Sequence, residues 1–182
     1  MRFPPLLGMS VTRRGEKERR LSAFIGQHLA AAQSSAAQLG CEILLIARSV
    51  ESPVVKAIGA LAPEIVAAGY SLRMILAQAD RDASPRGWVL AHAIEVRRAR
   101  DPRLIEAHEQ LVLGLRTFWT GDSMRRDPAK CDAYESFVDD CAESAGFAAA
   151  TFERLWMASH PLLERTPVAR VMSPLVAVAR RA

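Results

Sequence analysis

The sequence predicts an α/β fold: a three-layer α/β/α arrangement around a mixed sheet, with an extra helix at the N-terminus. Three observations carry that reading. Residues 42–47 and 71–78 are short, almost continuously apolar runs, as in strands covered on both faces. A helical pattern lies between them, and strand, helix, strand with short links is a right-handed crossover that makes the two strands parallel neighbours. Farther on, two apolar runs flank Gly114 in the manner of an antiparallel hairpin, so the sheet is mixed.

Taken in order, residues 1–14 read as a tail holding Pro4, Pro5, Gly8 and the basic pair Arg13 and Arg14. From 16 to 39, Leu21, Phe24, Ile25, Leu29 and Ala32 recur at helical spacing, and Gly40 supplies a C-terminal stop. The charged first turns, Glu16, Lys17, Glu18, Arg19 and Arg20, read as a solvated face, and His28 as a hydrogen-bonded core histidine. After the strand at 42–47, Ser52 and Pro53 open a helix as cap and first-turn residue. Val54, Val55, Ile58, Leu61, Ile65 and Val66 mark its buried face and Gly69 ends it, while Pro63 kinks or divides it. The strand at 71–78 leads to a polar loop at 79–87 and a short helix at 88–93. Residues 94–98 alternate with period two, as a half-exposed strand does. The hairpin follows. After Asp127 and Pro128 one helical pattern runs through Tyr134, Phe137, Val138, Cys141, Phe152, Leu155 and Trp156, with Gly146 as a break. From His160 a proline-bearing tail begins. The expected organisation is a tail at 1–14, one domain at 15–159 and a tail at 160–182.

Composition narrows the function classes. A chain of 182 residues, 50% hydrophobic and 24% charged, has the balance of one globular domain. Its longest apolar runs fall far short of a membrane span, and Phe3-Pro4-Pro5 does not open a secretory leader, so a cytoplasmic protein is expected. Cys41, Cys131 and Cys141 are odd in number and widely spaced, which suits structural thiols better than disulfides or a zinc site. No metal and no cofactor is expected. The net charge of +4 is modest, and lysine occurs only at 17, 56 and 130. Arginine-rich, alanine-rich composition follows from GC-rich coding as readily as from nucleic-acid binding.

The hairpin carries the chemistry. His108 stands at the start of its first run, and Gly121-Asp122-Ser123 closes the second, followed by Arg125 and Arg126. One imidazole, one carboxylate and two guanidiniums at a common edge suit a phosphate or another anion. Plainer readings stand beside this one. His108 next to Glu106 and Glu109 is also an ordinary strand-edge histidine, and Asp122-Ser123 an ordinary turn former. Arg125 and Arg126 can pair with Asp127, Asp139 or Asp140, Trp119 reads as core or dimer interface, and Arg97, Arg98 and Arg100 as a solvated face.

The element order, the Gly69-Tyr70-Ser71-Leu72-Arg73-Met74-Ile75-Leu76 stretch, His108-x-Gln110 and the Phe118–Ser123 corner together resemble one half of the phospholipase D superfamily fold, over roughly residues 41–157. The family signature is His-x-Lys, four residues, Asp, and then a Gly-Ser corner ending in Asn; members with one copy per chain dimerise to join two motifs. The resemblance puts His108 at the nucleophile, Gln110 at the lysine and Leu115 at the aspartate. Gly121 matches the corner glycine if the hairpin is one residue shorter, Asp122 replaces the serine, and Met124 or Arg125 lies near the asparagine. Loss of one preorganised donor typically slows turnover by roughly 100- to 1000-fold. What the resemblance implies is therefore a catalytically degenerate, homodimeric member binding nucleic acid or a phosphorylated small molecule. Its catalytic positions are His108, Gln110 and Asp122, and its ligand contacts Glu109, Ser123, Arg125 and Arg126. Two alternatives remain: a protein-interaction module using Leu21, Phe24, Ile25 and Leu29 or the C-terminal aromatic face, and an active phosphodiesterase using His108.

Overall fold

The strand at Glu42–Ala47 (β2) is apolar because both its faces are covered. Ile43, Leu45 and Ala47 enter one core cluster and Leu44 and Ile46 the other. The computed structural model describes residues 10–34, 42–78, 94–100, 108–124 and 132–162. From β2 the chain passes through Pro53–Ala60 (α2) and Ala62–Ala67 (α3) to Ser71–Leu76 (β3), which pairs parallel with β2. Ile94–Arg98 (β4) adds parallel to β3. On the other side of β2 the hairpin of His108–Leu113 (β5) and Thr117–Ser123 (β6) pairs antiparallel. Gly114 turns it with a φ of 60°, a left-handed conformation in which a Cβ would be strained.

Asp132–Val138 (β7) and Ser10–Arg13 (β1) extend that edge, and His160–Pro161 (β8) closes the other. The sheet therefore runs β1-β7-β6-β5-β2-β3-β4-β8. Arg14–Ser34 (α1) and α2 cover one face, where Leu21, Ile25 and Leu29 pack on Leu45, Leu111 and Trp119. Ala142–Met157 (α4) covers the other, with Phe152 and Trp156 against Ile46, Ile75 and Val112. Each fully buried apolar side chain contributes roughly 2 kcal/mol. The three layers and the parallel β2–β3 pair are as the sequence predicts.

Several expectations are corrected. Residues 132–138 form a strand and not the start of a helix: Phe118, Trp119 and Thr120 pair with Val138, Phe137 and Ser136. Tyr134, Phe137, Val138 and Cys141 imitate helical spacing because the inward position between them is a charged residue, Glu135, which is buried against α1 and paired with Arg20. Gly146 does not break α4, which runs through it. Residues 10–13 and 160–161, grouped with the tails, pair as β1 and β8. Ser52 precedes α2 without a side-chain cap; its Oγ accepts the Ser49 N–H at 3.2 Å instead. Leu21, Ile25 and Leu29 lie in the core and Phe24 packs edge-on against Phe137, so these four residues are taken up within the fold and not offered to a partner. Arg97 does not stand free in solvent either: it lies over the Trp156 ring and donates to the Trp156 carbonyl oxygen at 3.1 Å. Pro63 divides the predicted helix into α2 and α3, and Trp119 is core. The helix expected at 88–93, the loop at 79–87, the stop at Gly40, and Cys41 and Cys131 lie outside the described residues.

Candidate functional site

The sheet brings its chemistry to the end where β2 and β3 finish, because β5, antiparallel to them, starts there and β6 returns there. Ser123 pairs with His108 and Thr120 with Gln110, so two residues of β6, Gly121 and Asp122, stand opposite the single residue Glu109. This is a β-bulge on β6, and it turns two consecutive β6 residues toward one face. Glu109, Gly121 and Asp122 all meet Lys17 of α1 on that face.

Lys17 is 1% exposed. Its Nζ lies 3.2 Å from Asp122 Oδ2, 3.8 Å from Glu109 Oε2 and 5.1 Å from the centroid of the Trp119 ring. A buried ammonium survives only with such compensation. Glu109 is held from a second side, its Oε1 accepting the Arg48 backbone N–H at 3.2 Å. Gly121 is where the ring and the lysine need space: a Cβ there would stand 2.3 Å from Trp119 Cη2 and 3.2 Å from Lys17 Nζ.

His108 is exposed at the head of β5, with Nδ1 2.9 Å from the Gly121 carbonyl oxygen. A carbonyl can only accept, so Nδ1 carries the proton and the neutral ring presents Nε2 as a base or nucleophile. Gln110 goes elsewhere. It is buried on the opposite face from Lys17 and donates through Nε2 to the Ala148 carbonyl of α4 at 3.0 Å. The structure thus gathers Glu109 and Asp122 around Lys17 and ties His108 to the backbone of the same bulge, while Gln110, on the opposite face from Lys17, is engaged by α4. Ser123 contributes its carbonyl oxygen, which accepts Arg48 Nη2 at 2.8 Å. Leu115 is exposed in the hairpin turn, and Arg125 and Arg126 lie outside the described residues.

Two residues of this corner escaped the sequence reading. Lys17, grouped with the solvated charges, continues the buried row Leu21, Ile25 and Leu29 at a spacing of four, and that extension was the available signal. Arg48 had no local signal, since only the sheet register brings it beside His108. Away from the corner, His28 Nε2 meets the Tyr70 hydroxyl at 3.1 Å; burial pushes this imidazole below its ordinary range, with Asp139 partly opposing. Among the described residues no group of three His, Cys, Asp or Glu is arranged to hold a metal ion, and no helix is long and apolar enough to cross a membrane.

No family model and no curated protein matches the sequence. Solved structures do resemble it. Nuc from Salmonella typhimurium, a phospholipase D family member, superposes with a TM-score of 0.52 at 15% identity, covering 85% of this chain and 97% of Nuc. NucT from Helicobacter pylori gives 0.50 at 8% identity, over 85% of this chain and 98% of NucT. TrmBL2, an archaeal chromatin protein with a novel mode of DNA binding, gives 0.50 at 15% identity over 87% of this chain. The chain spans only 55% of TrmBL2. Likeness at these identities speaks for architecture, and on that ground the chain has a phospholipase D-like fold.

Proposed function

We propose that the chain is a catalytically degenerate, homodimeric phospholipase D-like domain of the cytoplasm that binds a phosphate-bearing ligand, nucleic acid or a nucleotide. One observation carries this reading. Gln110, at the position of the family's lysine, spends its amide on the Ala148 carbonyl of α4, while an exposed imidazole tied through Nδ1 to Gly121 remains at the rim. Phosphodiester cleavage through His108 develops negative charge that a neutral amide, buried and already engaged by the Ala148 carbonyl, does not offset. Binding needs less: a nearby guanidinium, with the imidazole as an imidazolium donating from Nε2, suffices to hold a phosphate oxygen. That TrmBL2 is a DNA-binding protein of the same architecture supports nucleic acid as the ligand.

The test has two arms. Fluorescence anisotropy with a labelled single-stranded oligonucleotide should give binding that weakens steeply with salt, since phosphate contacts release counterions. Incubation with an activated phosphodiester, followed by mass spectrometry, should give no phosphohistidine at His108. An adduct with turnover restores the active-phosphodiesterase reading; absence of binding at low salt removes the ligand claim. A second reading, a protein-interaction module, is favoured by Phe147 and Met157 on α4, which are 75% and 80% exposed. Sedimentation of the Phe147→Ser/Met157→Ser variant decides whether that face joins two copies.

A further inference from the structure

We propose that Arg48 receives the ligand's phosphate, supplying the cation that Gln110 does not. The inference rests on the phosphate-binding reading above and names the residue that does the work. Ile46 of β2 stands opposite Gln110 of β5, so the same register carried two residues on brings Arg48 level with His108. His108 in turn stands opposite Ser123 of β6. Arg48 donates through Nη2 to the Ser123 carbonyl oxygen at 2.8 Å, two strands from its own backbone. An arginine stretched from the end of β2 to β6 must cross the head of β5, where His108 is exposed and fixed through Nδ1 to Gly121. A guanidinium and an imidazole Nε2 therefore share the rim.

Charge pairing separates this arginine from its neighbours. Lys17 is met by Asp122 and Glu109, Arg20 by Glu135, and Arg73 by Glu42 and Glu153. The Arg48 guanidinium has no carboxylate partner among the described residues, and its buried Nε has no hydrogen-bond partner among them. Glu109, the acid beside it, takes the Arg48 backbone N–H and directs its other oxygen to Lys17. The Glu109 and Asp122 carboxylates are thus both engaged by Lys17 and not by the guanidinium. The carbonyl offers the guanidinium a single neutral acceptor, whereas a phosphate adds full opposite charge and can accept in bidentate fashion. A phosphate oxyanion can replace the Ser123 carbonyl at Arg48, and His108 adds a second contact in its imidazolium form, in which Nε2 also donates.

The experiment measures anisotropy of a labelled single-stranded oligonucleotide on the full chain across a salt series, with unlabelled oligonucleotide, a nucleoside monophosphate and inorganic phosphate as competitors. The variant is Arg48→Gln, which keeps a donor but loses the charge. Expected are affinity lower by roughly tenfold and a salt slope shallower by about 0.7 for the lost single-strand phosphate contact. Competition by the monophosphate identifies a small phosphorylated ligand as a sufficient source, and competition by oligonucleotide alone identifies a strand; both support Arg48 when lost in the variant. Arg48→Gln that binds like wild type, with unchanged slope, overturns the Arg48 assignment and leaves the ligand reading standing. Wild-type protein that binds none of the three probes removes both. Should Arg48→Gln not fold, phenylglyoxal modification of wild type serves instead: oligonucleotide or phosphate should protect Arg48, and equal modification with and without them overturns the assignment.

Discussion

Replacing Lys17 by Met is the most direct test of how the corner is held together. Met keeps most of the aliphatic stem, so the change removes charge more than volume. The side chains left behind are 7% exposed for Glu109 and 18% for Asp122, too little for water to compensate two carboxylates facing a lost cation. Removing one partner of a buried ion pair costs about 3–5 kcal/mol. For a chain of this size each kcal/mol lowers the melting temperature by roughly 2–4 °C, so a fall of roughly 10 °C is expected. Urea and thermal unfolding followed by far-ultraviolet circular dichroism provide the measurement. If uncompensated charge is the cause, Lys17→Met combined with Glu109→Gln and Asp122→Asn should recover most of the loss. A Lys17→Met protein within about 1 kcal/mol of wild type refutes the reasoning, since that is the range of an exposed pair. A triple variant no better than the single one shows that packing, not charge, was lost.

Other outcomes follow from the same geometry. Gly121→Ala places a methyl 2.3 Å from the Trp119 ring, and overpacking of this kind costs about 1–3 kcal/mol or more; unfolding curves and Trp fluorescence read it, and an unchanged protein contradicts the close approach. Gln110→Lys should not create phosphodiesterase activity, because the new ammonium would have to be buried against α4; measurable turnover of a chromogenic phosphodiester counts against the proposed cause of degeneracy. His28 has a folded-state pKa below its ordinary 6.5, so the unfolded chain binds the proton more readily. Stability is then complete above that value and declines as pH falls through it toward the depressed one. In His28→Gln, denaturation midpoints between about pH 7 and 5 should change less than in wild type; equal acid sensitivity means His28 is not the titrating group.

How much of this was legible depends on the range of the interaction involved. The apolar runs of β2 and β3, the Ser52-Pro53 start, the division at Pro63 and the turn at Gly114 were readable because each follows from local periodicity or backbone preference. His108 and Asp122 were readable as chemistry, but their partners were not. A strand reading alternates sides without interruption, whereas the bulge at Gly121-Asp122 shifts that alternation by one and sends Asp122 to Lys17. Residues 132–138 misled for a related reason: a buried acid at Glu135 broke the period-two pattern, and its compensating Arg20 lies more than a hundred residues away in the chain.

By itself the sequence determined that a mixed sheet is sandwiched between helices and that the hairpin bears a histidine at its rim, since hydrophobic periodicity and turn chemistry act over a few residues. Only the tertiary structure decided that Lys17 is buried, that Gln110 faces α4, and that Arg48 reaches across β5. Those outcomes depend on sheet register and on which distant charges meet away from water, and neither quantity is written in any local stretch of the chain.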